Sequence, residues 1–325
     1  MRDEYAPWKG LYHLDRLRNP YRPVFVQLDL TNRCNLRCKW CVTRKRNAID
    51  SAEWSWDDLC RLLDVLKRSG VKAIEITGGG EPTLHSQFEQ FVLEAAGMEF
   101  ELALVTNGTT WHDRVKPVLK YFEWVRISVD VIDKEAQLRL KGRNYSLDFE
   151  LHRKPEHVIV GASFIITREN YKDIPKFAAW AKEQGFDNVR FSYDHDADAL
   201  YYAPIKEELR DLLDEAAELE DENFAVFALK ERLDIWRPKR YSRCYYSDLV
   251  LVLDAEKKAY RCCEWKHRSG PGCYGEIKLN EAISLQFRNR PLLNPRRHCP
   301  PCWMNAKNEF LEWLLKPEKR HVNFV

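Results

Sequence analysis

The chain has 325 residues, of which 45% are apolar and 31% charged, enough apolar material for one large α/β domain and a smaller second domain. Lys and Arg together number 52 and Asp and Glu 50, a balance that gives a general nucleic-acid-binding surface no support. The start of the chain is polar, and no run of about 18 apolar residues follows. We therefore expect neither a signal peptide nor a membrane span, and a cytoplasmic location.

Up to about residue 200, short apolar stretches alternate with longer amphipathic ones. Helix signals include Ser55 followed by two acidic residues in the first turn. Strands are predicted over 24–30, 73–77, 101–106, 124–131, 158–167 and 188–193, and helices over 55–68, 85–96, 113–121 and 174–184. This alternation predicts βαβ units and a parallel sheet, either a partial barrel or an open doubly wound sheet, with ligands at the carboxyl ends of the strands.

The amino-acid composition of the chain changes after the sixth predicted strand. Residues 204–233 are predicted to form one or two charged helices with a solvated acidic face. Beyond about residue 236, Cys, Arg, Pro and Gly become dense, and one strand is predicted over 249–253. We therefore predict an N-terminal extension over 1–22, an α/β domain over 23–235 and a small Cys-rich domain over 236–325.

Ten cysteines fall in two groups: three lie between 34 and 41, six lie between 244 and 302, and Cys60 lies alone. A reducing cytosol disfavours structural disulfides, so two separated groups predict two metal sites. Cys60 falls inside a predicted helix and is expected in the core.

The first group, Cys34, Cys38 and Cys41, has the spacing C-x₃-C-x₂-C directly after the first predicted strand. Three thiolates from one loop can hold three corners of a [4Fe–4S] cube, leaving the fourth iron open to a substrate or cofactor. The alternatives are a zinc site, although zinc usually takes four ligands and no partner pair lies nearby, or buried free thiols.

This pattern, with the aromatic Trp40 just before the third cysteine, resembles the signature of the radical S-adenosylmethionine (SAM) superfamily. Three further segments match in order and in strand placement. They are Thr-Gly-Gly-Gly-Glu-Pro at 77–82, Thr-Asn-Gly at 106–108 and Arg-Ile-Ser-Val-Asp at 126–130. The resemblance implies a partial (β/α)6 barrel that binds SAM and a [4Fe–4S] cluster. It also implies reductive cleavage of SAM to a 5′-deoxyadenosyl radical, which removes a hydrogen atom from a substrate.

The resemblance also implies roles for single residues. Cys34, Cys38 and Cys41 ligate the cluster. The expected SAM-binding residues are Trp40, Gly79, Gly80, Glu81, Ser128, Lys141, Arg143 and Asn170.

Several of these assignments keep an alternative. The two glycines let the backbone approach the SAM amino group, or they form a plain strand-to-helix turn. Trp40 stacks near the adenine or is a core aromatic, and Ser128 binds SAM or is an ordinary buried hydroxyl. Lys141 and Arg143 are both candidates to pair with the SAM carboxylate. Asn170 is either a family Asn or a turn-forming one.

The C-terminal cysteines resemble the twitch or SPASM-type extension of radical SAM enzymes, which holds auxiliary [4Fe–4S] clusters. Six cysteines fit one auxiliary cluster, with Cys244, Cys262, Cys299 and Cys302 as its ligands. Cys263 is the alternative to Cys262, because neighbours on a strand end point to opposite sides. A Cys₄ zinc site is the alternative metal.

Cys273 and Cys263 are left as candidate catalytic thiols. A free thiol near the active site can return a hydrogen atom to a substrate radical, as in radical SAM epimerases. The alternative for Cys273 is a tolerated cysteine in the flexible Gly-rich turn over 270–275.

These features predict dehydrogenation or epimerisation of a small polar substrate, similar to a sugar or cyclitol, with a flavodoxin- or ferredoxin-type reductant. Peptide modification is one alternative, although only about 22 residues precede the first strand, fewer than a winged-helix peptide-recognition domain needs. A nucleoside or nucleic-acid substrate stays open through basic stretches at 44–46 and 316–320. The alternative of another class is a non-catalytic zinc or iron–sulfur protein. Asp194, His195 and Asp196 follow the sixth strand, where substrate contacts or a solvated loop are expected.

Overall fold

The computed structural model describes residues 8–18, 22–46, 48–49, 51–194, 197, 199–228, 230, 233, 238–287, 293–299, 302 and 304–315. Its strands are β1 Phe25–Asp29, β2 Ala73–Thr77, β3 Glu101–Thr106, β4 Trp124–Ser128, β5 Ile159–Ile166, β6 Asn188–Tyr193, β7 Ala225–Phe227, β8 Val250–Leu253, β9 Lys258–Tyr260 and β10 Cys273–Glu276. Its α-helices are α1 Leu14–Arg18, α2 Val42–Lys45, α3 Trp56–Arg68, α4 Phe88–Gly97, α5 Lys134–Lys141, α6 Ile174–Glu183, α7 Ala199–Tyr202, α8 Lys206–Ala217, α9 Tyr246–Leu249, α10 Ile283–Phe287, α11 Pro295–His298 and α12 Asn305–Leu315.

All ten strands of the described residues form one sheet in the order β10-β9-β8-β1-β2-β3-β4-β5-β6-β7. Neighbours from β8 through β1 to β7 are parallel, whereas β8, β9 and β10 pair antiparallel. The six strands predicted between 24 and 193 are all present. The predicted α/β fold with a parallel sheet and a Cys-rich C-terminal region is confirmed.

The two faces of the sheet differ in character because side chains alternate along each strand. Val26, Leu28, Ile74 and Ile76 are fully buried in the main core together with apolar residues of α3 and α4. The residues between them along β1 and β2, such as Gln27 and Glu75, point to the other side, which we call the inner face.

Helix α3 shows how local sequence sets an element that supports the site. The Ser55 side chain accepts a hydrogen bond from the Asp58 backbone N–H, so Ser55 caps the helix as its position in the sequence predicts. Leu59, Leu62 and Leu66 form the buried stripe against the sheet.

Two predicted helices have a different form. The stretch predicted as a helix over 113–121 is a π turn, Trp111–Val115, followed by the 3₁₀ turn Lys116–Tyr121. Pro117 has no N–H for a continuous helical ladder. The stretch over 204–233 contains α8, but its last part includes the short strand β7, which adds an edge to the sheet beside β6.

The C-terminal region joins the sheet directly. Strand β8 pairs with β1, with Gln27 level with Val252, and the β8–β9–β10 strands extend that edge. Residues 234–237, where we predict the domain boundary, lie outside the described residues, so the boundary stays a prediction. Among the described residues, no helix combines the length and apolar character required to cross a bilayer.

The aromatic layer between β5, β6 and α6 gives a stability prediction. Phe164 is buried, and its ring makes edge contacts with Phe177 at 4.9 Å and with Phe191 at 5.6 Å between centroids. We expect Phe164→Ala to lower the free energy of unfolding by about 3–5 kcal/mol, because it removes a large side chain and leaves a cavity. Chemical denaturation measures this change. Leu138→Ala, at an exposed position of α5, is the control, with an expected change within about 0.5 kcal/mol. Equal losses in both variants would contradict the assignment of the core.

Candidate active site

The loop with the first three cysteines leaves β1 at its carboxyl end and is held on two sides. The Arg37 and Lys39 backbone N–H groups donate to the carbonyls of Lys141 and Leu140 at the end of α5. On the other side, the Asn32 N–H donates to the Ala52 carbonyl before α3. The loop is therefore fixed by neighbouring elements and ends at Cys41, the N-cap residue of α2.

Cys34, Cys38 and Cys41 influence one another electrostatically. Burial raises the pKa of Cys34, and it raises the pKa of Cys38 to about 12, with smaller upward contributions from the other thiols of the loop. None of the cysteines forms a disulfide bond. Cys34 is exposed and Cys38 is partly exposed, so a metal group can reach both thiols, and thiols lose their protons when they bind a metal.

The spacing of the sulfur atoms bears on the zinc alternative. Ligands of a tetrahedral zinc, each about 2.3 Å from the ion, lie about 3.8 Å apart. All ten cysteines belong to the described residues, and no three of their sulfur atoms come within 4.8 Å of one another. The thiols in the described part of the chain are therefore not arranged as the ligands of a single tetrahedral zinc ion.

The glycine turn after β2 packs directly on the cysteine loop. A Cβ at Gly79 would lie 1.7 Å from the Asn32 Oδ1 atom, and one at Gly80 would lie 2.0 Å from the Arg33 carbonyl oxygen. The Gly80 and Glu81 N–H groups donate to the carbonyls of Thr31 and Arg33. Glycine is therefore favoured at position 79 by the Asn32 side chain and at position 80 by the close approach of two backbones, whatever ligand the turn contacts.

Glu81 is a buried carboxylate that joins the ends of β2 and β3. Its Oε1 atom accepts hydrogen bonds from the hydroxyls of Thr83 and Thr106, both at 2.6 Å, and its Oε2 atom accepts from the Asn107 N–H at 2.6 Å. Burial raises the pKa of Glu81, and the hydrogen bonds oppose that rise. These hydrogen bonds give Glu81 a structural role, and its predicted part in SAM binding stays a prediction.

The network continues from Asn107 to the cysteine loop. The Asn107 Nδ2 group donates to Asn35 Oδ1 at 2.9 Å, and Asn35 Nδ2 donates to Thr109 Oγ1 at 2.8 Å. Asn35 directly follows Cys34. Glu81 and the Thr-Asn-Gly segment thus fix the orientation of the first cysteine.

Lys141 lies under the cysteine loop in a buried ion pair. Its ammonium donates to Asp130 Oδ2 at 2.9 Å, to the Val129 carbonyl at 3.0 Å and to the Ser128 carbonyl. These acceptors use all three donors of the ammonium. Burial lowers the pKa of Lys141 but the Asp130 carboxylate raises it, and the net change is upward.

The neighbouring predicted residues have clear places. Asn170 is buried and bonds to Thr167, Ile165 and the Asp130 carbonyl, the contacts of a turn-forming residue. Trp40 packs in a small apolar cluster with Val131 and Leu140. Ser128 ends β4 and is half-buried, whereas Arg143 is exposed.

The C-terminal thiols come together beside the inner face of β1 and β8. Cys244, Cys262, Cys273 and Cys299 pack against one apolar cluster that includes Val250 and Val252. The pKa of Cys302 is raised by burial and further by Cys244 and Cys299, and the pKa of Cys262 is raised by burial and further by neighbours including Cys244 and Cys302. The four predicted ligands therefore lie in mutual electrostatic range.

The two candidate catalytic thiols lie in different surroundings. Cys263 lies close enough to Lys266 and Tyr246 to raise the pKa of both, in addition to larger effects of burial and, for Lys266, of Asp29. Cys273 pairs across the β9–β10 ladder with Tyr260.

The inner face carries charged side chains that the sequence analysis did not select. Gln27 Nε2 contacts both carboxylate oxygens of Glu75, at 3.4 and 3.3 Å. Burial raises the pKa of Glu75, while Arg126, Arg190 and Lys266 lower it. The sequence contains a signal for these residues, because Gln27 and Glu75 are polar residues next to apolar ones in the predicted strands.

Among the residues proposed for substrate contact, Asp194 forms an ion pair with Lys45 at 2.8 Å. His195 and Asp196 lie outside the described residues, and so does the basic stretch 316–320.

Residues 28–152 match the family described as the Radical SAM superfamily. This segment contains the three cysteines of the first group. The predicted resemblance to the radical SAM superfamily is confirmed, together with the cofactors that it implies, SAM and a [4Fe–4S] cluster. The curated relatives that the chain matches include enzymes of several kinds.

Two of these relatives show the range. The chain is 28% identical over 185 residues to the tungsten-containing aldehyde ferredoxin oxidoreductase cofactor-modifying protein of Pyrococcus furiosus, covering 52% of this chain and 51% of that protein. It is 31% identical over 137 residues to an S-adenosylmethionine-dependent nucleotide dehydratase of Selenomonas ruminantium, covering 41% and 49%. The chain thus spans about half the length of these relatives.

The fold is similar to that of Streptococcus suis SuiB in a crystal structure with S-adenosylmethionine bound. The TM-score is 0.58 at 16% identity, and the match covers 80% of this chain and 65% of SuiB.

The Glu81 network gives a prediction for the cysteine loop. Glu81→Gln replaces one acceptor oxygen with an NH₂ group that faces donors, so we expect a loss of about 1–3 kcal/mol in the free energy of unfolding and less bound iron per chain. Chemical denaturation and an iron assay measure the two effects. Glu89→Gln is the matched control, because Glu89 is partly exposed in an ion pair with Arg114, and its expected change is under about 1 kcal/mol. Normal stability and iron content in Glu81→Gln would show that the network does not hold the loop.

Proposed function

We propose that this chain is a radical SAM enzyme that removes a hydrogen atom from a small polar substrate held on the inner face of the sheet, leading to dehydrogenation or epimerisation. The supporting observation is that the cysteine loop lies at the carboxyl end of β1, beside an inner face that carries Gln27, Glu75, Arg126 and Arg190. Charged groups inside a sheet are costly to bury and suit a polar ligand.

In this proposal Cys34, Cys38 and Cys41 hold the SAM-binding cluster. With SAM bound, that cluster supplies the 5′-deoxyadenosyl radical. The glycine turn over 78–80 and the end of β4 at Ser128 form the walls of the SAM site, and Trp40 closes it on the α5 side. Lys141 acts through Asp130 and the Ser128 carbonyl, while Arg143 remains available for the SAM carboxylate.

The C-terminal thiols are proposed to hold one auxiliary [4Fe–4S] cluster through Cys244, Cys262, Cys299 and Cys302. Cys244, Cys262 and Cys299 pack against the apolar cluster that includes Val252, and Val252 is level with Gln27 in the sheet. This neighbourhood supports an auxiliary site beside the proposed substrate. An electron acceptor at this site suits dehydrogenation, in which the substrate loses two electrons.

Epimerisation instead needs a hydrogen donor, and Cys263, which lies near Lys266 and Tyr246, is better placed than Cys273. Only epimerisation carries deuterium from D₂O into a carbon position of the product. A flavodoxin- or ferredoxin-type protein is the proposed reductant.

A nucleotide is the second candidate substrate. Arg126 and Arg190 flank β5 on the inner face, and guanidinium groups bind phosphates well. The similarity to a nucleotide dehydratase agrees with this candidate. A peptide is the other alternative, since SuiB has been crystallised with its precursor peptide SuiA.

The central test is SAM cleavage. We expect the anaerobically reconstituted protein with dithionite to release 5′-deoxyadenosine from SAM, and the Cys34→Ala, Cys38→Ala, Cys41→Ala variant to release none, because no cluster is left to bind SAM. Chromatography of the quenched reaction measures the product. Cys60→Ala is the control, since Cys60 lies on α3 away from the loop. Absence of 5′-deoxyadenosine in the iron-loaded wild type would favour a non-catalytic iron–sulfur or zinc protein.

The ligand assignment gives a separate prediction. We expect about eight irons per reconstituted wild-type chain, as two [4Fe–4S] clusters require, and about four in Cys299→Ala, Cys302→Ala. Cys262→Ala should also lose iron, whereas Cys263→Ala should keep it, because Cys262 packs against the same apolar cluster as Cys244 and Cys299. Iron analysis with Mössbauer spectra measures this. Loss of iron from Cys263→Ala alone would exchange the two assignments, and zinc in place of iron at the C-terminal site would reject the auxiliary cluster.

A further inference from the structure

Lys266 connects the C-terminal thiol site to the cysteine loop. Its ammonium donates to Asp29 Oδ2 at 2.9 Å and Oδ1 at 3.2 Å, and to the Gly78 carbonyl oxygen at 3.2 Å. The Asp29 side chain is fully buried, and that of Lys266 is 13% exposed. Asp29 ends the strand that leads into the cysteines, and Gly78 begins the glycine turn, so one cation bridges the two elements proposed to bind SAM.

The backbone of the same residue makes a further link. Arg46 Nη1 donates to the Lys266 carbonyl oxygen at 2.9 Å, and Arg46 is the C-cap residue of α2, which follows Cys41. Lys266 therefore contacts the chain on both sides of the three cysteines.

Lys266 is connected to the C-terminal thiol site through Cys262. The Trp265 and Lys266 N–H groups donate to the Cys262 and Cys263 carbonyls at 3.1 and 3.2 Å, forming one 3₁₀ turn. Trp265 is buried in the apolar cluster against which Cys244, Cys262 and Cys299 pack. A Cβ on Gly272 would lie 2.0 Å from the Trp265 ring, so the turn has little freedom to shift. A metal group that fixes the position of Cys262 would therefore also fix the position of Lys266.

The charges of Lys266 and Asp29 make the position of the Lys266 ammonium important. Burial lowers the pKa of Lys266 but Asp29 raises it, and the net change is upward, which keeps the ammonium charged. Without the ammonium, Asp29 would be a buried carboxylate with no cation, which is strongly unfavourable. Asp29 also lies against the glycine turn, since a Cβ position at Gly79 is 3.4 Å from Asp29 Oδ2, so a shift of Asp29 would be transmitted to that turn.

We propose that Lys266 is a positioning residue that couples the C-terminal thiol site to SAM binding. When the thiols are held by their metal group, the turn over 262–266 is ordered and Lys266 fixes Asp29 and Gly78 in the arrangement that binds SAM. This inference rests on the proposed function and names a regulation of the same site.

The test is a double-mutant cycle on the dissociation constant for SAM, measured by anaerobic equilibrium dialysis of protein reconstituted with iron and sulfide. The variants are Lys266→Met, Cys299→Ala/Cys302→Ala, and all three substitutions together. We expect Lys266→Met and the cysteine variant each to weaken SAM binding by roughly 5–150-fold, and the combined variant to bind within about twofold of the weaker of these two. Lys154→Met is the matched control, because Lys154 forms a similar part-buried pair with Asp187 away from the loop, and SAM binding should not change.

Three outcomes would overturn the coupling: unchanged SAM binding in Lys266→Met, unchanged binding in the cysteine variant, or effects that multiply in the combined variant. If Lys266→Met does not fold, the variant Lys266→Met/Asp29→Asn replaces it in the cycle, because it leaves no unpaired buried charge and still removes the contact with Gly78. Failure of the proposed function is distinguishable, because the wild type itself would then bind no SAM. Wild-type binding with independent effects rejects the coupling alone.

Discussion

The site depends on how closely the glycine turn after β2 approaches the cysteine loop after β1. Gly79 and Gly80 lie where any Cβ would overlap Asn32 or Arg33, and two backbone hydrogen bonds join the segments like a short extra ladder. Because β1 and β2 are paired in register below, this contact sets the height of the cysteine loop above the sheet. A side chain at either glycine would push the loop away from β2 and disturb all three thiols at once.

Buried charges then fix what surrounds this contact. Glu81 joins the loops after β2 and β3 without a cation, using four donors from Thr83, Thr106 and Asn107. Lys141 and Asp130 form a pair under the loop, and Asp130 has a left-handed backbone with φ of 61°, a conformation that surrounding contacts must stabilise. Each group is costly when unpaired, so the arrangement resists partial rearrangement.

Much of the fold and of the candidate site could be predicted from the sequence, because short local segments encode the strands and the motifs. The six strands follow from short β-rich stretches, and the motifs at 34–41, 77–82, 106–108 and 126–130 each end or follow a strand. Parallel strands bring such segments to one edge. The motif positions of Glu81, Lys141 and Asn170 predict SAM binding, which stays a prediction. The hydrogen bonds that these side chains make within the protein are not encoded by spacing. Lys266 had no local signal, since its partner Asp29 lies 237 residues away.

The C-terminal region is best understood through the strand pairing that attaches it. Strand β8 extends the parallel sheet on the free side of β1, so Val252 and the thiols packed on it face the same side as Gln27. If the C-terminal thiols lay in an independent domain joined by a linker, their distance from the cysteine loop would not be fixed. Here the β1–β8 ladder sets that distance, and the buried Lys266–Asp29 pair closes the far end of the connection. A metal group at either cysteine set is therefore held by one continuous sheet, and loss of order at one set reaches the other through the shared strand and the shared cation.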